Sequence, residues 1–143
     1  MTMRPRGRSG RRPASRQTGT PVLPTGWLML RGEIRLVDLE PVRGSEASKR
    51  RPAVIVSNDR ANAVAARLGR GVVTVVPVTS NVERTYPFQT LLSAGATGLR
   101  MDSKAQAEQV RSVALERVGP VLGRVPVAAM VELDNALRLH LQL

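Results

Sequence analysis

The stretch Val72–Thr79, VVTVVPVT, limits the possible folds more than any other part of this chain. Its β-branched side chains are stiff at χ1 and suit a pleated, half-buried surface. The turn residues Gly69-Arg70-Gly71 precede it and Ser80-Asn81 follow, so it reads as a bounded strand. Pro77 cannot donate to a ladder, which predicts an edge position or a bulge. Pro52–Ser57 (PAVIVS) is apolar on both faces, as a strand covered on both sides should be. Glu33–Leu39 and Phe88–Ser93 read as further strands. Lys104–Val113, where Ala105, Ala107, Val110 and Val113 alternate imperfectly with polar residues, is expected to form one more. Pro41–Ser45 breaks regularity, Glu46–Arg50 is a polar loop, Asn58–Arg67 is a turn with a short helix, and Gly95–Gly98 is rich in turn residues. Pro126–Leu141 is the clear amphipathic helix. Val127, Met130, Val131, Leu133, Leu137 and Leu141 recur at helical spacing, and Pro126 suits a first turn. Together these predict a mainly β chain with α: a compact, strongly bent barrel of short strands with a C-terminal amphipathic helix.

With 143 residues the chain suits one domain, and 42% hydrophobic residues suffice for one core. Aromatics are only 2%, so that core must be built from Val, Leu, Ile and Ala. There is no cysteine and only one histidine, His140. Disulfides, thiolate metal sites and multi-histidine metal sites are thereby excluded from the sequence, and a reducing, cytoplasmic setting fits. His140 lies near the end of the last helix, where a positive side chain suits the helix dipole, so its expected role is structural. No apolar run reaches the roughly 20 residues that a membrane span needs.

Composition changes near residue 30. Residues 1–30 hold six arginines, four prolines and no acid. Residues 1–29 are therefore expected to be a disordered basic extension, and 30–143 the folded domain. Two readings of the extension stand: an RNA-tethering arm, or translated upstream sequence with Met29 as the working start. The net charge is +11, of which those six arginines supply more than half. The remaining excess, mostly arginine with its planar fork of donors, still suits a nucleic-acid partner.

Two segments can do chemistry. The first is the loop Arg43-Gly44-Ser45-Glu46-Ala47-Ser48-Lys49-Arg50-Arg51-Pro52. Pro52 biases Arg51 toward extended backbone, so Arg51 should open a strand and be held more rigidly than a mid-loop arginine. A solvated basic loop is the plain alternative. The second is Thr79-Ser80-Asn81, whose hydroxyls and amide at a strand end can donate to phosphate oxygens. Ordinary turn chemistry is the alternative there.

These residues meet a known family. Arg31-Gly32-Glu33-Ile34, Asp38-Leu39, Gly44-Ser45-Glu46 and Arg51-Pro52, in that order and spacing, resemble the opening of the MazF/PemK/Kid toxins. The similarity continues through Val54–Asp59, Asn62, Val76–Ser80, Asp102-Ser103 and Glu108–Arg111, and covers about residues 31–143. It implies an SH3-like barrel of the MazF/CcdB type, a homodimer with active sites at or near the subunit interface, cleavage of single-stranded RNA, and inhibition by a cognate acidic, MazE-like antitoxin in a heterohexamer-type complex. The family's catalytic pair corresponds to Arg51 and Thr79. The extension and the loop Ala47-Ser48-Lys49-Arg50, without the glycines often found there, depart from the pattern.

The implied chemistry needs no metal or cofactor, because RNA carries its own 2′-OH nucleophile. Arg51 is the expected charge stabiliser, and Thr79 a donor to a non-bridging oxygen or an orienter of Arg51. Arginine holds its proton too tightly to be an ordinary base. Glu46, the nearest carboxylate in sequence, is the alternative for proton transfer. Ser45, Lys49, Arg50, Asn62, Ser80 and Gln109 are candidates for substrate contact. Tyr86 and Phe88 can either stack a splayed base or fill the core. An inhibitor should be acidic and extended, matching a groove lined by Arg43, Lys49, Arg50 and Arg51. The alternative functions are a CcdB-like gyrase poison acting by protein–protein binding, and an RNA-binding barrel without activity.

Overall fold

The structure, a computed structural model, describes residues 28–39 and 50–143. Residues 1–27 of the extension expected to be disordered therefore lie outside it, as do Arg43, Ser45, Glu46 and Lys49 of the basic loop.

Seven antiparallel strands form one bent sheet: β1 (Glu33–Asp38), β2 (Arg50–Ile55), β3 (Val72–Thr79), β4 (Gln89–Leu92), β5 (Ser103–Gln106), β6 (Arg111–Ala114) and β7 (Val118–Arg124). Their order is β4-β5-β3-β2-β1-β7, with β6 also paired to β3. Helix α1 (Asp59–Leu68) joins β2 to β3, the single turn α2 (Ala94–Thr97) follows β4, and α3 (Val127–Leu141) ends the chain. The mainly β fold with a C-terminal helix is the one expected.

β3 is the hinge of the sheet. One of its edges pairs with β2. Along its other edge Val72–Val75 pair with β6, and Val78-Thr79 pair with β5. Pro77 falls in the gap between those two partners. The strand is thus central rather than an edge, and the missing proline N–H is tolerated where the sheet changes neighbour. The expected single strand Lys104–Val113 is also two, because the 3-10 turn Ala107–Gln109 turns the chain from β5 into β6. Gly95–Gly98 belongs to α2, capped by the Ser93 hydroxyl, which accepts from the Ala96 N–H at 3.3 Å.

Two aliphatic cores lie on the two faces of the sheet. Val54, Val76 and Val78 join Ile34, Leu92, Val125, Leu133 and Ala136 on one. Ala53, Ile55, Val73 and Val75 join Met29, Val37, Leu39 and Ala66 on the other. This alternation along β2 and β3 explains why both strands read as apolar throughout. α3 covers the first core through Leu133 and Ala136, and α1 covers the second through Ala66. Val127, Val131 and Leu141, assigned to the buried stripe of α3 from spacing alone, are exposed instead; the helix meets β4 and the 3-10 turn along Met130, Leu133, Ala136 and Leu137. Met29, placed in the extension from composition, is 5% exposed and part of the core.

β7 was not legible as a strand, since Gly119, Pro120 and Gly123 interrupt it. The glycines answer to close backbone approach. A Cβ at Gly119 would lie 2.9 Å from the Leu36 carbonyl oxygen, and one at Gly123 only 2.3 Å from that of Thr97. Arg35, 1% exposed, ties β1, β7 and the N-terminal stretch together. It donates to Glu33 Oε1 at 3.0 Å, to the Gly119 carbonyl at 3.1 Å and to the Leu28 carbonyl at 2.6 Å.

Candidate active site

Arg51 is the second residue of β2, and Thr79 is the last of β3. The β2–β3 ladder pairs Val54 with Val76 and Ala53 with Pro77. The ladder ends there; continued by two residues on each strand, its register matches Arg51 with Thr79. Directly opposed residues of an antiparallel pair project to one face, so the pairing of β2 with β3 brings both residues to one end of the sheet without help from a loop. β1 flanks the arginine on its other side, where Val37 is its partner. Pro52, inside β2, keeps Arg51 extended.

Both side chains line one open cleft of about 470 Å³. Pro52 and Val78 come from the same strands, and Ser80 follows directly on β3. Gly98, Leu99, Arg100, Met101 and Ser103 form a second wall between α2 and β5, and Leu122 of β7 closes the remaining side. Thr79 Oγ1 accepts from the Asn81 N–H at 3.2 Å. That bond fixes the hydroxyl oxygen and leaves its own proton available to donate. Ser103 Oγ donates to the Met101 carbonyl at 3.0 Å, and Asp102 Oδ1 accepts from the Ala94 N–H at 2.8 Å. These two bonds tie the wall bearing Arg100 to the start of α2. Lys104, cross-strand partner of Thr79, is buried and donates its ammonium to the Arg84 carbonyl.

The cleft's described lining offers two guanidinium groups and three hydroxyls but no carboxylate. It is built to hold an anion and to neutralise added negative charge. Arg100, Leu99 and Met101 were not singled out from sequence. The available signal was Arg100 two residues before Asp102-Ser103, in a turn-rich stretch that only the sheet pairing brings to β3.

Ser80 is exposed at the cleft lip, where it was expected. Arg50 is the exposed first residue of β2, opposite Asp38. Asn62, a candidate for substrate contact, is fully buried in α1. Its Nδ2 donates to the Ser57 carbonyl at 2.9 Å, and its Oδ1 accepts from Ser57 Oγ at 2.5 Å. Ser57 Oγ in turn accepts from the Thr74 N–H at 3.0 Å. Both ends of the Asn62 amide are spent on locking α1 to β2 and β3. Gln109 sits exposed at the end of the 3-10 turn and does not line the cleft. His140 is exposed in the last turn of α3.

The model of PemK-like, MazF-like toxins of type II toxin–antitoxin systems matches residues 30–141, nearly the whole described fold. The chain belongs to this family. Among its MazF-like relatives, Endoribonuclease MazF9 of Mycobacterium tuberculosis is 66% identical over 116 residues, 81% of this chain and 98% of the relative. Endoribonuclease MazF of Staphylococcus epidermidis is 32% identical over 117 residues, covering 81% and 93% of the two chains. An endoribonuclease solved in complex with its cognate antitoxin, from a mycobacterial species, shares the fold with a TM-score of 0.63 at 24% identity, over 80% of this chain and 96% of that one. No helix among the described residues is long and apolar enough to cross a membrane.

Proposed function

We propose that this toxin is an endoribonuclease that cuts single-stranded RNA by transesterification, with Arg51 and Thr79 as its catalytic residues. The observation that carries the reading is that both side chains line one cleft whose described lining is cationic. The 2′-oxygen attacks the adjacent phosphorus as its proton leaves. The bond from phosphorus to the 5′-oxygen breaks, and that oxygen takes a proton, giving 2′,3′-cyclic phosphate and 5′-OH ends. Arg51 offers its fork to the non-bridging oxygens, whose charge grows in the phosphorane, and the Thr79 proton supplies a further donor. Arg100 on the opposite wall is an additional phosphate contact. The described lining holds no carboxylate, so the proton acceptor must come from elsewhere; Glu46 is our candidate. Ser45, Lys49 and Arg50, from the basic segment that leads into Arg51, are proposed to contact the RNA with Ser80. The mechanism asks for no metal or cofactor.

The setting is the cytoplasm, where RNA is met and where growth is arrested by its loss. The named relatives are endoribonucleases, which favours this reading over a gyrase poison. A second copy of the chain is the proposed cover for the outer face of α3, where Val127 is 83% and Val131 54% exposed. A small acidic antitoxin is the proposed inhibitor, competing with RNA for the cationic cleft.

The test is incubation of the purified protein with an unstructured RNA in excess EDTA. Cleavage to 2′,3′-cyclic phosphate ends, abolished by a single 2′-deoxynucleotide at the cut site, is expected. Cleavage that survives the 2′-deoxy substitution would rule the mechanism out.

A further inference from the structure

The chain has one Tyr and one Phe, and among the described residues neither core contains Tyr86 or Phe88. Burial of apolar area would ordinarily draw such rings inward. Here they lie in the connection from β3 to β4 and stack on each other, with centroids 5.3 Å apart and planes within 1°. Tyr86 is 41% exposed.

The turn carrying them is rigid. The Tyr86 N–H donates to Gln89 Oε1 at 3.1 Å, and the Gln89 N–H donates to the Tyr86 carbonyl at 2.9 Å. Gln89 Nε2 donates to Glu108 Oε2 at 2.7 Å, and the Ala107 N–H donates to the Phe88 carbonyl at 3.2 Å. The approach to the turn is held by Lys104, the lysine paired with Thr79, through the Arg84 carbonyl. Arg84 Nη1 donates to the Tyr86 hydroxyl at 3.3 Å, which leaves most of the guanidinium's donors uncommitted by that bond. The segment begins at Ser80 on the cleft lip, and Lys104 links it to the end of β3 where Thr79 lines the cleft.

We propose that the outward face of Tyr86, backed by Phe88 and flanked by Arg84, is a stacking subsite for one unpaired base of the substrate RNA, outside the cleft where the chain is cut. This rests on the nuclease reading. A flat, preformed ring pair beside a cation matches what an unpaired nucleotide presents, a π face and a phosphate, and stacking suits any base. Because the base is held equally before and during the reaction, the subsite strengthens binding without speeding the chemical step.

The experiment is steady-state cleavage of a short single-stranded RNA spanning a mapped cut site, by wild type, Tyr86→Ala, Tyr86→Leu and Tyr86→Trp. A parallel RNA series replaces each flanking base in turn by an abasic residue. Tyr86→Ala should raise KM about 5- to 100-fold, the usual worth of one stacked base, with kcat within about twofold. Tyr86→Trp should restore KM. Tyr86→Leu keeps an apolar cover over Phe88 and so tests the lost π face even if the alanine variant loosens the turn; it should behave as Tyr86→Ala. One abasic position should raise the wild-type KM by a similar factor and leave Tyr86→Ala unaffected. Wild-type KM from folded Tyr86→Leu, or a Tyr86→Ala defect that every abasic RNA still shows, would overturn the subsite while leaving the nuclease reading intact. Failure of the wild type to cleave any RNA would remove both.

Discussion

Substituting Arg35 by methionine should be the most damaging single change outside the cleft. The replacement is close in volume, so the loss is electrostatic. The acceptors that lose a donor include the Leu28 and Gly119 carbonyls and Glu33 Oε1. Leu28 is 48% exposed, so water replaces that bond at little cost. Glu33 is 9% exposed, and its Oε1 still accepts from the Leu30 N–H at 3.1 Å. A carboxylate left buried after loss of its partner costs about 3–5 kcal/mol; the retained amide donor argues for the lower end, about 3 kcal/mol. At roughly 4 °C per kcal/mol for a domain of this size, Tm should fall by about 12 °C. The assay is a thermal-unfolding double-mutant cycle of Arg35→Met and Glu33→Gln. The neutral amide removes the stranded charge, so the double variant should regain more than half of the loss. Additive effects, or a single Arg35→Met cost below about 1 kcal/mol, would refute the argument that Glu33 is the group that suffers.

Gly123→Ala should cost about 1–3 kcal/mol through its clash with the Thr97 carbonyl, whereas Gly95→Ala, with nothing within 4 Å of the new Cβ, should leave Tm unchanged or slightly raised; equal Tm values for the two variants would contradict this. Asn62→Ala should lower stability by about 2 kcal/mol, because it strands Ser57, yet leave the RNA cleavage rate of the folded protein within about twofold; a large kinetic defect at unchanged Tm would return Asn62 to the site. Deleting residues 1–27 should leave Tm unchanged, while starting at Met29 removes the Leu28 carbonyl from Arg35 and should cost at most about 1 kcal/mol; calorimetry on the two truncated proteins decides.

Much of the fold is written in local pattern. β-branched runs located β1, β2 and β3, and helical spacing located α3. What escaped was set by pairing across the sheet. β7 was hidden by Gly119 and Gly123, which the fold needs because neighbouring backbone leaves no room for a side chain. Pro77 read as an edge because sequence does not show that β3 changes partner beside it. The same holds for the site. Arg51 and Thr79 were legible as residues, but that they line one cleft follows only from the pairing of β2 with β3. Arg100 was invisible because the wall it belongs to reaches the cleft through β5. Asn62 looked available because an amide near a helix start says nothing about burial, and here both its ends are bonded to Ser57.

The central claim is that Arg51 and Thr79 stabilise the charge that develops during RNA cleavage. The most direct measurement is the single-turnover cleavage rate of Arg51→Ala and Arg51→Lys at saturating protein, with Tm recorded alongside. Removal of one preorganised donor typically costs about 100- to 1000-fold, so Arg51→Ala should fall by that much while RNA binding weakens far less. Arg51→Lys should also be slow, because a point charge does not reproduce the fork. A folded Arg51→Ala protein that cleaves at near the wild-type rate would contradict the assignment.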